Sequence, residues 1–91
     1  MLYDPLKNRS RTDILGPILE AANGGGATKT RIMYKAFLSY AQLKEYLTIL
    51  LENGLLEYEG RRQLYRTTEK GMRFLQKYIK VQEMMPLEST E

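Results

Sequence analysis

Apolar residues along this chain change their spacing at defined points, and each change marks an element. Ile14, Leu15, Ile18, Leu19 and Ala22 follow the 3.6-residue period of one buried helical face. With Ser10 as N-cap and Asp13 near the positive end of the dipole, they predict a first helix over 10–22. Gly16-Pro17 interrupts it, because proline inside a helix removes a backbone bond and costs about 3 kcal/mol. A kink, or a regular part that starts later, is expected there. Asn23-Gly24-Gly25-Gly26 ends the helix, since glycines lose the most freedom by staying helical.

A second helix over 28–36 buries Ile32, with Met33 and Ala36 beside it, and Phe37-Leu38 forms a tight apolar turn. Ser39-x-x-Gln42 is a capping box that opens a third helix, and Gly54 is its left-handed stop. Leu43, Leu47, Leu50 and Leu51 form its inner face. The period then drops to two. Residues 55–59 and 63–67 read as strands around Gly60-Arg61-Arg62, with Leu56, Tyr58, Leu64 and Tyr65 on half-buried positions. Thr68-Glu69-Lys70-Gly71 starts a last helix that Pro86 stops.

That last helix carries two apolar stripes: Met72, Leu75 and Ile79 on one, Phe74, Tyr78, Val81 and Met85 on the other. One stripe covers the core, and the second predicts a partner, most simply the same helix of a second chain. The plain alternative is that both wrap one core as a single wide face. Phe74, Leu75, Tyr78, Ile79, Val81, Gln82 and Met85 are the expected dimer contacts.

The order helix, helix, turn, helix, hairpin, helix is that of a winged helix-turn-helix: mainly α, with a small β-hairpin and a long C-terminal helix. The expected organisation is a flexible arm at 1–8 and the winged helix-turn-helix domain at 9–71. The dimerising helix follows at 68–85, with a disordered tail at 86–91.

Composition narrows the chemistry. The 91 residues include no cysteine and no histidine, which removes disulfides, thiolate metal sites and the commonest general base. No apolar run approaches the roughly 20 residues of a membrane span, and no signal-peptide pattern opens the chain, so a cytoplasmic protein is expected. All 14 basic residues but only seven of the 11 acids fall within 7–82, so the folded body is far more basic than the net +3 suggests. A basic body suits a polyanion.

Enzyme readings fail on particulars. Gly24-Gly25-Gly26-Ala27-Thr28-Lys29-Thr30 ends like a phosphate-binding loop, but that motif needs glycine before the lysine and a strand ahead of the loop. Glu57 and Glu59 share one strand face opposite Leu56 and Tyr58, as a solvated face would. Ser10, Ser39 and Ser89 lack a histidine partner, and Lys29 or Lys35 would need burial to act as a base. No catalytic residue, metal or cofactor is expected.

Double-stranded DNA is the expected partner. In a helix-turn-helix the second helix presents its N-terminal side chains to the major groove, here Ser39, Tyr40, Gln42, Lys44, Glu45 and Thr48. Gln42 suits adenine, Lys44 guanine or a phosphate, and Glu45 a cytosine amine or the orientation of Lys44 or Arg31. Lys29, Arg31, Tyr34 and Lys35 face the backbone, and Arg61 and Arg62, helped by Arg66, meet a flanking minor groove or phosphates. Lys7, Arg9 and Arg11 add a third contact.

With these residues in place, the chain resembles the small archaeal winged-helix DNA-binding proteins of about ten kilodaltons. The resemblance rests on Ile18-Leu19-Glu20-Ala21, Lys29-Thr30-Arg31-Ile32-Met33-Tyr34 and Leu38-Ser39-Tyr40-Ala41. It continues through Tyr46-Leu47, Gly54-Leu55-Leu56 and Thr68-Glu69-Lys70-Gly71, covering residues 10–85. It implies a homodimer, paired through an antiparallel coiled coil of last helices, that binds DNA in an archaeal cytoplasm. Two features depart from the pattern: the last helix stops near Pro86, and Glu45 puts an acid on the recognition face. The second favours a transcriptional regulator over an architectural coat. The alternative is a winged helix used for protein–protein contact, which Glu45, Glu52, Glu57 and Glu59 would suit.

Overall fold

The computed structural model describes residues 11–84. The expected cap Ser10, the arm, Lys7, Arg9, the side chain of Arg11, Met85 and the tail lie outside the described residues. Four helices and one hairpin follow in order: α1 Arg11–Ala21, α2 Lys29–Ala36, α3 Tyr40–Glu52, β1 Leu56–Glu59, β2 Leu64–Thr67 and α4 Glu69–Met84.

Helix α1 buries Ile14, Ile18 and Leu19 as the period requires. It runs from Arg11 straight through Pro17, so its regular part begins before the proline rather than after it. Gly16 has a packing reason to be glycine: a Cβ there would collide with the Tyr78 ring, which lies against the α1 backbone. After α1, Gly24 and Gly26 adopt positive φ, and Ala27 exchanges two backbone hydrogen bonds of 2.8 Å with Tyr65. A single bridge thus adds Ala27 to the edge of the hairpin.

Thr28 caps α2, its hydroxyl accepting from the Arg31 N–H at 3.2 Å. The helix ends at Phe37, whose backbone is left-handed (φ 56°), and the Leu38 N–H closes on the Met33 carbonyl. Leu38 is buried whereas Phe37 is exposed, so only half of the expected apolar turn enters the core. Both halves of the α3 capping box are made: Ser39 N–H donates to Gln42 Oε1 at 2.9 Å, and Gln42 N–H to Ser39 Oγ at 3.1 Å. Leu43, Leu47 and Leu50 are buried. Leu51 is 37% exposed, contrary to the sequence reading, because it lies about 100° round the helix from Leu50 and off the stripe's centre. Gly54, at φ 73°, is the predicted stop.

The hairpin pairs Leu56 with Thr67 and Glu59 with Leu64. Each strand is one residue shorter than its pattern, and the turn takes in Gln63, which is left-handed at φ 57°. Thr67, a buried polar residue, donates through Oγ1 to the Leu19 carbonyl at 2.8 Å and through its N–H to Ala22 at 3.0 Å. These bonds satisfy carbonyls that the end of α1 leaves unpaired.

Thr68 caps α4 by accepting from the Gly71 N–H at 3.0 Å, and its own hydroxyl donates to Gly54 at 2.6 Å. Lys70 Nζ donates to the Asn53 carbonyl at 2.9 Å, and Gly71 lies so close to the Leu55 carbonyl that no Cβ fits. The start of α4 is therefore welded to the end of α3. Of the two apolar stripes, Leu75 is buried and Met72, Phe74 and Tyr78 pack on the same core. The N-terminal half of α4 is one wide face, and among the described residues Ile79, Val81 and Met84 remain as exposed apolar side chains beyond it.

Candidate nucleic-acid interface

Two helix N-termini and the hairpin tip share one side of the molecule, and side-chain contacts show how. Tyr40, at the first position of α3, receives Lys44 Nζ 5.4 Å from its ring centre and Lys29 Nζ at 5.9 Å. One ring thus gathers a cation from each helix; such contacts contribute about 0.5–1 kcal/mol at exposed sites. Lys29 also borders a cleft of about 310 Å³ with Thr28, Tyr58, Arg62 and Gln63, which carries the surface on to the hairpin tip. Tyr58 is half exposed and packs on Tyr65 across the strands, centroids 4.7 Å apart.

The polar side chains of α3 are less free than the sequence suggests. Gln42 Oε1 accepts from the Ser39 N–H in the capping box, which ties the side chain to the start of the helix and leaves its amide nitrogen and one oxygen lone pair for a base. Ser39 Oγ is held by the same box, and Thr48 Oγ1 donates to the Lys44 carbonyl at 2.9 Å. Lys44 and Glu45 stay exposed, and Glu45 makes no ion pair among the described residues, so it does not orient Lys44 or Arg31. Arg31, Tyr34 and Lys35 line the outer side of α2.

The hairpin tip is charge-compensated. Arg62 meets Glu59 at 2.9 Å, while Arg66 reaches Glu57 at 3.3 Å and Glu59 at 3.7 Å. The hydrogen bond from Arg62 holds the Glu59 carboxyl below its ordinary range, partly opposed by desolvation and reinforced by the charges of Arg62 and Arg66. Arg61 has no ion pair among the described residues. Glu57 and Glu59 do share a face, as their spacing predicts, and Arg66 spans both.

The expected dimer contacts divide. Leu75 belongs to the core, Phe74 packs on it, and Tyr78 lies on Gly16, so these three serve the fold of their own chain. Ile79, Val81 and Gln82 are exposed, joined by Met84, which the sequence reading did not single out. Among the described residues no acidic cluster could hold a metal, and no helix is long and apolar enough to cross a membrane. Sequence reasoning named Lys29, Tyr40 and Lys44 separately as DNA contacts but not their grouping round one ring, of which the four-residue spacing of Tyr40 and Lys44 hinted at half. It also missed Tyr58 and Gln63, for which register and backbone sign were needed.

A family model described as winged helix-turn-helix matches residues 8–86. The chain belongs to that family. Among solved structures, the winged helix is similar to Sso10a-2, described as a DNA-binding protein from Sulfolobus solfataricus. The TM-score is 0.68 at 29% identity over 85% of each chain. It is also similar to an uncharacterised protein of Methanocaldococcus jannaschii, 29% identical over 77 residues, which are 85% of this chain and 77% of the relative. Small archaeal winged-helix proteins are therefore its kin, as the Lys29–Tyr34 and Leu38–Ala41 blocks imply.

Proposed function

We propose that this winged helix binds double-stranded DNA as a homodimer and acts as a transcriptional regulator in the cytoplasm. Helix α3 enters the major groove and the hairpin lies on the flanking backbone or minor groove. The observation that carries the reading is the Lys29–Tyr40–Lys44 group, which joins the N-termini of α2 and α3 into one cationic surface reaching the wing. Similarity to a DNA-binding protein over most of both chains supports it. Lys44 reads a guanine edge or a phosphate, Lys29, Arg31 and Lys35 hold phosphates, and Arg61 with Arg62 anchors the wing. Exposed Ile79, Val81, Gln82 and Met84 form the dimer seam.

Anisotropy of a labelled duplex of about 30 base pairs, titrated at several salt concentrations, tests this directly. Affinity should fall steeply with salt, and Lys29→Ala with Lys44→Ala should lower the log–log slope by about 0.9 for each phosphate no longer neutralised. No binding at low salt sinks the reading. A second reading, a protein-binding module, is favoured by the Glu57 and Glu59 pairs that neutralise two of the wing's arginines, and an absence of duplex binding would turn attention to it.

A further inference from the structure

The centre of the outer face of α3 has a chemistry of its own. Glu45 lies about 40° round the helix from Ala41, and Thr48 about 20° from Ala41 on the other side. The three form one exposed stripe opposite the buried Leu43, Leu47 and Leu50. Thr48 turns its hydroxyl back on the helix, donating to the Lys44 carbonyl at 2.9 Å, so its methyl is what it offers a partner. Ala41 offers a methyl as well. Between them stands the Glu45 carboxylate, which makes no ion pair among the described residues. Two cations of the same surface go to a ring instead: Lys44 Nζ is 5.4 Å from the Tyr40 ring centre and Lys29 Nζ 5.9 Å. In a major groove, an unneutralised carboxylate is repelled by the acceptors of guanine, adenine and thymine. The cytosine edge presents an amine donor and no acceptor, so it alone receives the group without a repelling neighbour. Methyls on either side suit the C5-methyl of thymine.

We propose that Ala41, Glu45 and Thr48 make duplex binding sequence-selective: Glu45 accepts from the N4 amine of one cytosine, and the methyls of Ala41 and Thr48 pack on thymines beside it. The inference rests on the proposed docking of α3 in the major groove, and it names the class of site that this docking accepts. Glu45 is a filter as much as a contact. Over any other base it brings a charge that the phosphates repel and an acceptor left without a donor. The full chain is offered a duplex pool with about 20 randomised base pairs, a length that covers two half-sites one helical turn apart. The enriched duplex is then titrated by anisotropy beside copies altered one base pair at a time. Glu45→Ala removes the carboxylate. Glu52→Ala removes the same charge from the same stripe about 10 Å further along, away from the N-terminal end that meets bases. Both side chains are exposed, so the thermal midpoints should stay near the wild-type value. Wild type should enrich a cytosine flanked by thymine and lose about 5- to 150-fold in affinity when that C·G pair becomes T·A. Glu45→Ala should level that position to within about twofold, keep the other preferences and bind unselected duplex tighter than wild type. Glu52→Ala should keep the cytosine preference.

A wild-type pool with no enriched position, from a protein that still binds duplex, would overturn the proposal and leave the duplex reading standing. So would a cytosine preference that survives Glu45→Ala. A preference that Glu52→Ala abolishes equally would reduce Glu45 to its charge and overturn the proposal too. Enrichment of any base other than cytosine at the Glu45-dependent position would sink the base assignment. Absence of all duplex binding at low salt would sink both readings together.

Discussion

Single residues decide where the elements touch. Gly71 sits inside a helix, where glycine usually destabilises by up to about 1 kcal/mol relative to alanine. Here the ordering reverses, because a Cβ would meet the Leu55 carbonyl and the Thr67 methyl. Gly71→Ala should therefore destabilise the fold by about 1–3 kcal/mol, read as a lower midpoint in urea; an unchanged or higher midpoint would show that the junction yields. The Thr68-Glu69-Lys70-Gly71 block is legible in the sequence as a helix start, but the reason for its glycine is not, since Leu55 approaches from a different element. Gly16 is the same kind of case. Beside Pro17 it reads as a helix breaker, and only the Tyr78 ring explains it.

At the scale of elements, periodicity is enough to place α2, α3 and the two hairpin strands, because each buries one regular face. It is not enough for side-chain duty. Gln42 belongs both to a capping box and to a recognition face, and its oxygen serves the cap. On the hairpin, Glu57 and Glu59 were readable as a shared face, but their hold on Arg62 and Arg66 depends on the pairing across strands. Under the proposed function this sets two opposite expectations for the same duplex titration. Arg61→Ala with Arg62→Ala should weaken binding on every sequence and lower the salt slope by about 0.9 for each phosphate the wing releases; an unchanged slope would remove the wing from the interface. Glu59→Gln should tighten binding, because Arg62 is released, Arg66 keeps only Glu57, and one negative charge is gone. Since Arg62 holds the Glu59 carboxyl below its ordinary value, the restraint persists into mildly acidic solution and fades as pH falls through that lowered pKa.

For the whole molecule the sequence offered two accounts of α4, a dimer stripe and a single wide face. The first half follows the second account, with Met72, Phe74, Leu75 and Tyr78 all on one core. Beyond Tyr78 the exposed Ile79, Val81 and Met84 keep the first account open as a proposal. Truncation before Tyr78 would remove a core contact along with the seam, so substitution is the cleaner probe. Val81→Asp with Met84→Asp should convert dimers to monomers by sedimentation while the far-ultraviolet spectrum stays native. A dimer that survives both charges would have to pair elsewhere.

The weld between the end of α3 and the start of α4 has a mechanical meaning. Thr68, Lys70 and Gly71 grip Asn53, Gly54 and Leu55 without slack, so α4 acts as a lever arm fixed to the helix that would read DNA. In the proposed dimer, two such arms joined near their tips form a caliper whose jaws are the two α3 helices, set before any duplex is met. One residue inserted into α4 would turn everything beyond it by about 100° and advance it by about 1.5 Å. The seam would then face the wrong way while each reading head stayed intact.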